Sequence, residues 1–197
     1  MLPALLRFFA RYPGIIVELQ VREGTFDLAQ DGIDVAIHNG PVLDGSLMAR
    51  KLGATPIVTV GSPRYLERNG EPRRPSDLER HERIVYTSRG ISWPWRFVSS
   101  RGEILHQPRG HLHTNDPEQI HAAVQAGLGL AHTPGWLFAR ELESGRVRRL
   151  LARYERPPLA ISAIHADARR APTKVRVFVE FLRETFAAVP SLAMLGG

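Results

Sequence analysis

His111 and His113 are the only two of the chain's eight histidines that stand two residues apart, and the chain has no cysteine. On a strand that spacing puts both imidazoles on one face. No third ligand follows at a metal-binding distance, and no His-Glu-x-x-His occurs, so surface or hydrogen-bonding histidines are expected instead of a metal site. The missing cysteine removes thiol nucleophiles, disulfides and Cys-ligated zinc. Gly127-Leu128-Gly129 has two of the three glycines of a dinucleotide loop. It follows a helical pattern and precedes a strand-like one, which is the reverse of the required order. It reads as a helix C-cap leading into a close-packed strand start. There is no Gly-x-Ser-x-Gly and no phosphate-binding P-loop, and nothing in the spacing gathers Ser, His and Asp. The expectation is a protein that is not an enzyme and has no cofactor.

Binding chemistry is easier to place. Arg89 and Trp93-Pro94-Trp95 follow a strand-like run ending at Tyr86. The arginine could pair with an anion and the tryptophans cover it, although Trp95 leans towards core packing. Asn115-Asp116 reads first as a helix N-cap. Its second reading places backbone N–H groups where an anion can bind. Residues 122–142 hold two helical stretches, but the link between them is too long for a DNA-reading helix-turn-helix and alternates like a strand.

These residues need elements to hold them. Leu2, Leu5, Leu6 and Phe9 have helical spacing, and Pro13-Gly14 ends that helix. Ile15, Val17, Leu19 and Val21 alternate as a strand does. A short helix is expected at 26–30, then strands at 33–38 and 56–60. Ser62-Pro63 opens a helix to Arg68. The middle of the chain predicts strands at 84–86, 112–114, 128–132 and 147–151, a hairpin about Ser99-Ser100-Arg101-Gly102, and helices at 116–126 and 134–143. A strand at 161–165 precedes a final helix with Val175, Phe178, Val179, Leu182 and Phe186 on one face.

Strands alternating with helices predict an α/β fold with largely parallel sheets. Both terminal helices pair with strands at their own ends of the chain. This implies two Rossmann-like lobes, one of residues 1–61 plus 159–197 and one of residues 62–158. Two crossover strands, at 58–62 and 159–165, would join them and leave a ligand cleft like that of periplasmic binding proteins.

With 197 residues, 43% of them hydrophobic and 23% charged, the chain has the composition of a globular protein. No apolar run is long enough for a membrane span, and no secretory signal opens the chain, so no membrane partner and a cytoplasmic location are expected. Of the net charge of +6, residues 62–158 carry +5, from 16 arginines and 11 acids. No basic run exceeds two residues, so nucleic-acid binding by this segment is not expected.

Several stretches in fixed order resemble the effector-binding domain of LysR-type transcriptional regulators. They are Leu-Pro-Ala-Leu-Leu-Arg-Phe-Phe-Ala-Arg-Tyr-Pro at 2–13, Asp-Gly-Ile-Asp-Val-Ala-Ile-His-Asn-Gly at 31–40 and Leu-Met-Ala-Arg-Lys-Leu-Gly at 47–53. Gly-Ser-Pro-Arg-Tyr-Leu at 61–66, Asn-Asp-Pro-Glu at 115–118 and Ala-Gly-Leu-Gly-Leu-Ala-His-Thr-Pro at 126–134 continue the series, and Lys-Val-Arg-Val-Phe-Val-Glu-Phe-Leu at 174–182 closes it. The resemblance implies a regulatory domain whose small-molecule effector binds between the lobes and shifts a closed/open population. The residues it assigns to the effector are His38, Asn39, Thr87, Ser88, Arg89, Asn115, Thr133 and Pro134. His38 stands where relatives often carry Arg.

An anionic effector is expected from the charge of the middle lobe, Arg89 and the helix start at Asn115. A homodimer is expected through the first helix and the helix at 117–126, with Leu5, Phe8, Tyr12, Ile120 and Ala123 in contact. In this reading Phe8 and Tyr12 are surplus apolar surface beside the buried stripe. The family's winged helix-turn-helix is not in this sequence, so DNA binding is expected only through an N-terminal domain that the chain lacks. A stand-alone solute-binding protein and an enzyme on the same bilobal fold are the alternatives.

Overall fold

The computed structural model describes residues 2–21, 27–42, 44–166, 171–189 and 192. In chain order the elements begin with α1 (Leu5–Arg11), β1 (Ala36–Asn39), β2 (Met48–Thr55), β3 (Ile57–Gly61) and α2 (Pro63–Asn69). There follow β4 (Ile84–Ser88), β5 (Ile91–Ser92), β6 (Trp95–Ser99), β7 (Gly102–His106), β8 (Leu112–Thr114) and α3 (Pro117–Gln125). The last are β9 (Ala131–Pro134), α4 (Ala139–Glu143), β10 (Arg148–Leu150), β11 (Leu159–His165) and α5 (Thr173–Ala187). The chain divides into two compact units, Met1–Thr55 with Leu159–Gly197, and Pro56–Pro158. The first division falls at Thr55/Pro56, earlier than the Gly61/Ser62 boundary read from the sequence.

In the first unit β11 lies between β1 and β2, antiparallel to both. The β11–β2 register slips by one residue at Ile161/Ser162, which leaves Leu52 as the extra residue of a bulge. Leu52 is buried with Ile161, Ala163 and the inner face of α5, namely Val175, Val179, Leu182 and Phe186. The packing of α5 follows its sequence stripe. That of α1 does not. Leu5 and Phe8 are buried, whereas Leu6 is 77% exposed and Leu2 61%. Phe8 meets Phe178 and Phe181 edge-on and tilted, at ring distances of 5.2 and 4.9 Å. It is a core residue, not surplus surface, because α5 presents an aromatic pair to that side of α1.

The strand expected at 15–21 forms no ladder among the described residues. Ile16 and Val21 are almost fully exposed there. The helix expected at 26–30 is a turn over residues 28–32, and Phe26 lies outside the described residues.

In the second unit β3 lies between β10 and β9, again antiparallel to both. The parallel pairs are β4 with β8 and a bridge from Arg83 to Leu130. The expectation of largely parallel sheets is thus corrected. Among the described residues parallel pairing is confined to the one place where a helix, α3, carries the chain across from β8 to Leu130. Two cores fill this unit. Val58, Val60, Val124, Phe138 and Val147 make one, and Leu78, Trp95, Phe97, Leu130 and Leu150 the other. Ile120 and Ala123 belong to the first core. Their side chains face inward, so the surface expected of them for a dimer contact is buried in this core.

Local chemistry fixes the turns. Gly127 closes α3 with φ +75°, the left-handed cap that glycine favours. Two residues on, a Cβ at Gly129 would come within 2.7 Å of the Glu82 carbonyl oxygen, so that strand start needs glycine for close approach. The 95–106 hairpin forms with Ser99 opposite Gly102, as expected. Ser62 occupies the N-cap position of α2, but its hydroxyl is buried without a hydrogen-bond partner.

Candidate effector site

In the second unit, Tyr86 of β4 pairs with Thr114 of β8, both strands running the same way. Thr87 is the next residue of β4, and Asn115 is the first residue past β8. They stand together at the carboxyl ends of a parallel pair, where open α/β sheets bind ligands. Three residues beyond the Arg83–Leu130 bridge, the neighbouring chain reaches Tyr86 on one side and Thr133 on the other. Thr133 is buried opposite Val58, and Pro134 ends β9 half-buried opposite Ile57. Ser88 is buried, while Asn115 is exposed. The structure therefore gathers Thr87, Ser88, Asn115 and Thr133 at one end of the second unit's strands.

Arg89 is set by a turn. Ser88 pairs with Ile91, so Arg89 and Gly90 form a two-residue hairpin loop between β4 and β5. Their φ values of 51° and 78° are those of a type I′ turn. A non-glycine residue in that region costs about 1–2 kcal/mol, so the hairpin holds Arg89 in a strained but defined direction. Trp93, just beyond, is 60% exposed and meets Tyr86 edge-on at 6.5 Å. Trp95 is core.

The helix start at Asp116 is already satisfied. The Asp116 carboxylate accepts the Glu118 N–H at 2.8 Å, and the Thr114 hydroxyl accepts the Asp116 N–H at 3.0 Å. Asp116 and Glu118 together place negative charge on the positive end of α3. These two N–H groups, expected to face an anion, thus already have side-chain acceptors, and Arg89 is the cation of the set. Thr87 has a partner too. Its hydroxyl lies 3.2 Å from His113 Nδ1, and His113 Nε2 lies 3.0 Å from the Gly110 carbonyl. His111 bonds Glu82. Among the described residues no group of three His, Asp or Glu could hold a metal.

In the first unit, His38 and Asn39 are neighbours on β1. His38 is half-buried opposite Ser162 of β11, and Asn39 is exposed.

Sequence reading missed one cluster. His132 stacks on Trp95 at 5.4 Å and 24° and contacts Phe97 at 4.9 Å. The Thr59 hydroxyl lies 3.0 Å from its Nδ1, and the ring also bonds the Arg96 main chain. Burial pushes its pKa down to about 4. His106, opposite Trp95 in the hairpin, also meets its ring, at 5.9 Å, and burial lowers its pKa as well. The signal was the alternation of Trp95 with Phe97 and of Leu128, Leu130 and His132, which puts all of them on strand faces. Nothing in the spacing showed that the two faces meet.

The LysR substrate-binding domain model matches residues 1–187. The chain belongs to the LysR substrate-binding domain family. Its family is one of transcriptional regulators and not of enzymes. This LysR domain is 32% identical to the HTH-type transcriptional activator AaeR of Escherichia coli K12, over 94% of the chain and 60% of that protein. The chain thus spans about three-fifths of the length of the curated relatives it matches. Among solved structures, it superposes on the regulatory domain of CrgA from Neisseria meningitidis with a TM-score of 0.82 at 25% identity, covering 93% of this chain and 90% of that one. The regulatory domain of AphB in Vibrio vulnificus gives 0.80 at 26%, covering 94% and 91%. The LysR domain therefore has the mixed α/β fold of these regulatory domains. No helix among its described residues is long and apolar enough to cross a membrane.

Proposed function

We propose that this LysR domain binds a small anionic effector and acts as the regulatory part of a dimeric, cytoplasmic transcriptional regulator. Thr87, Ser88, Asn115, Thr133 and Pro134 contact the effector from the second unit, Arg89 pairs with its charge, and His38 and Asn39 serve from the first. The observation that carries the reading is the convergence of Thr87, Asn115 and Thr133 at the carboxyl ends of neighbouring strands. Effector binding shifts a conformational population, and the shift reaches DNA through the dimer and a DNA-binding domain outside this sequence.

A thermal-shift screen of small carboxylates and aromatic acids tests it. A ligand at 100 times its Kd stabilises the folded chain by about 2.7 kcal/mol. For such a ligand, Thr133→Val and Arg89→Ala should each weaken binding about tenfold or more. Stabilisation by neutral or cationic compounds alone, with Arg89→Ala unaffected, would end the anionic reading.

The dimer proposal uses the faces that the cores leave uncovered. On α1 these are Leu6 and Phe9, with Leu2 just before, and on α3 Ala122 and Ala126. A two-fold contact buries the same patch on both copies. Tyr12, half-buried against Phe8, borders it.

A further inference from the structure

The second unit holds a cavity of about 650 Å³ between the β6–β7 hairpin and the 3-10 turns at Pro75–Arg80 and Ala152–Tyr154. That volume suits a small organic molecule. All of its lining lies outside the candidate effector site. Arg74, Arg101 and Arg153 line it, and no Asp or Glu does. Arg74 is paired with Asp77 at 3.0 Å. Arg153 is fixed by a 2.9 Å bond to the Arg73 carbonyl and lies 4.9 Å over the Tyr154 ring. A carbonyl and a ring face leave its full charge in place. The Arg101 guanidinium has no hydrogen bond or ion pair among the described residues.

The rest of the lining divides by chemistry. Ser76, Ser99 and Ser100 add hydroxyls near the arginines. Ile104 and Tyr154, packed against the same core, make an apolar wall. His106, at the inner side, is 7% exposed. Its Nδ1 is 3.5 Å from Glu79, and its Nε2 is buried with no partner. Cations, hydroxyls and an apolar wall are together what a charged head on an apolar body requires.

We propose that this cavity is a second ligand site, for a small organic anion such as an aryl phosphate, separate from the effector residues at Thr87, Asn115 and Thr133. Arg101 and Arg153 take the charged head, and Ile104 and Tyr154 take the ring.

Titration of the ¹⁵N-labelled chain tests it, with phenyl phosphate, inorganic phosphate and benzyl alcohol as probes. Phenyl phosphate should give saturable amide shifts at residues 99–105 and 153–154. Inorganic phosphate should bind there more weakly, and benzyl alcohol should not bind. Arg101→Glu and Arg153→Gln should each weaken phenyl phosphate binding about tenfold or more, as loss of a charge-assisted bond does. Arg140→Gln, an exposed arginine elsewhere on the unit, should leave it unchanged. Arg101 is exposed, so the fold survives its replacement, and an unaltered spectrum of the free variant checks this. Shifts that never saturate, equal binding to Arg101→Glu, or shifts centred on Thr87, Asn115 and Thr133 would each overturn the proposal. The last outcome would leave the effector reading intact.

Discussion

Lowering the pH from 7 to 5 should destabilise the second unit through His132. Its imidazole is enclosed by Trp95, Phe97 and the Thr59 hydroxyl. Burial holds its pKa at about 4, against 6.5 for an ordinary histidine. Between those values the unfolded chain binds a proton that the folded one refuses, so stability rises with pH. The contribution is fully present above pH 6.5 and is lost as the pH falls towards 4. Integrated for one site, the loss is about 2 kcal/mol between pH 7 and pH 5, and about 3 by pH 4. His81 and His106, whose pKa values burial also lowers, act in the same direction. The paired carboxylates add their losses mainly below this window, because an unpaired Asp or Glu titrates near 4. All three tryptophans, Trp93, Trp95 and Trp136, lie in the second unit, so urea unfolding followed by tryptophan fluorescence reads that unit alone. His132→Gln should flatten the stability–pH curve by about 2 kcal/mol over the same window. Parallel curves for the two proteins would show that His132 titrates normally in the folded state and would refute the reasoning.

Phe8→Ala should cost about 3–5 kcal/mol because it opens a cavity beside Phe178 and Phe181, whereas Leu6→Ala at an exposed site should stay within about 0.5. Chemical unfolding of the two variants checks this, and equal losses would contradict the orientation of α1. Leu6→Glu should convert a dimer to a monomer in sedimentation at micromolar concentration, and an unchanged dimer would place the interface elsewhere. Gly129→Ala should cost about 1–3 kcal/mol, because its methyl meets the Glu82 carbonyl. An unaltered melting temperature would show that this strand start yields easily.

What the sequence made legible was local and one-sided. The stripe on α5 has one apolar face and one polar face, so its orientation followed from spacing alone. The Ser99–Gly102 hairpin and the Gly127 cap followed from turn chemistry, and Asp116 from capping chemistry. On α1, by contrast, Leu2, Leu6 and Phe9 make one apolar stripe and Leu5, Phe8 and Tyr12 another. Helical periodicity cannot choose between them, and the choice falls to Phe178 and Phe181, some 170 residues away. Strand direction was hidden for a similar reason. A buried strand carries the same residues whether its neighbour runs with it or against it, so alternation along the chain suggested parallel sheets where most ladders are antiparallel. The same blindness bears on the site. Thr87 and Asn115 are named by the family resemblance and not by spacing, and the Asp116 carboxylate that occupies the helix start comes from the residue type that marks an N-cap. A cap that already supplies a carboxylate leaves little for an anion at that point, and in the proposed site the charge pairing rests on Arg89, which a two-residue left-handed turn sets after β4.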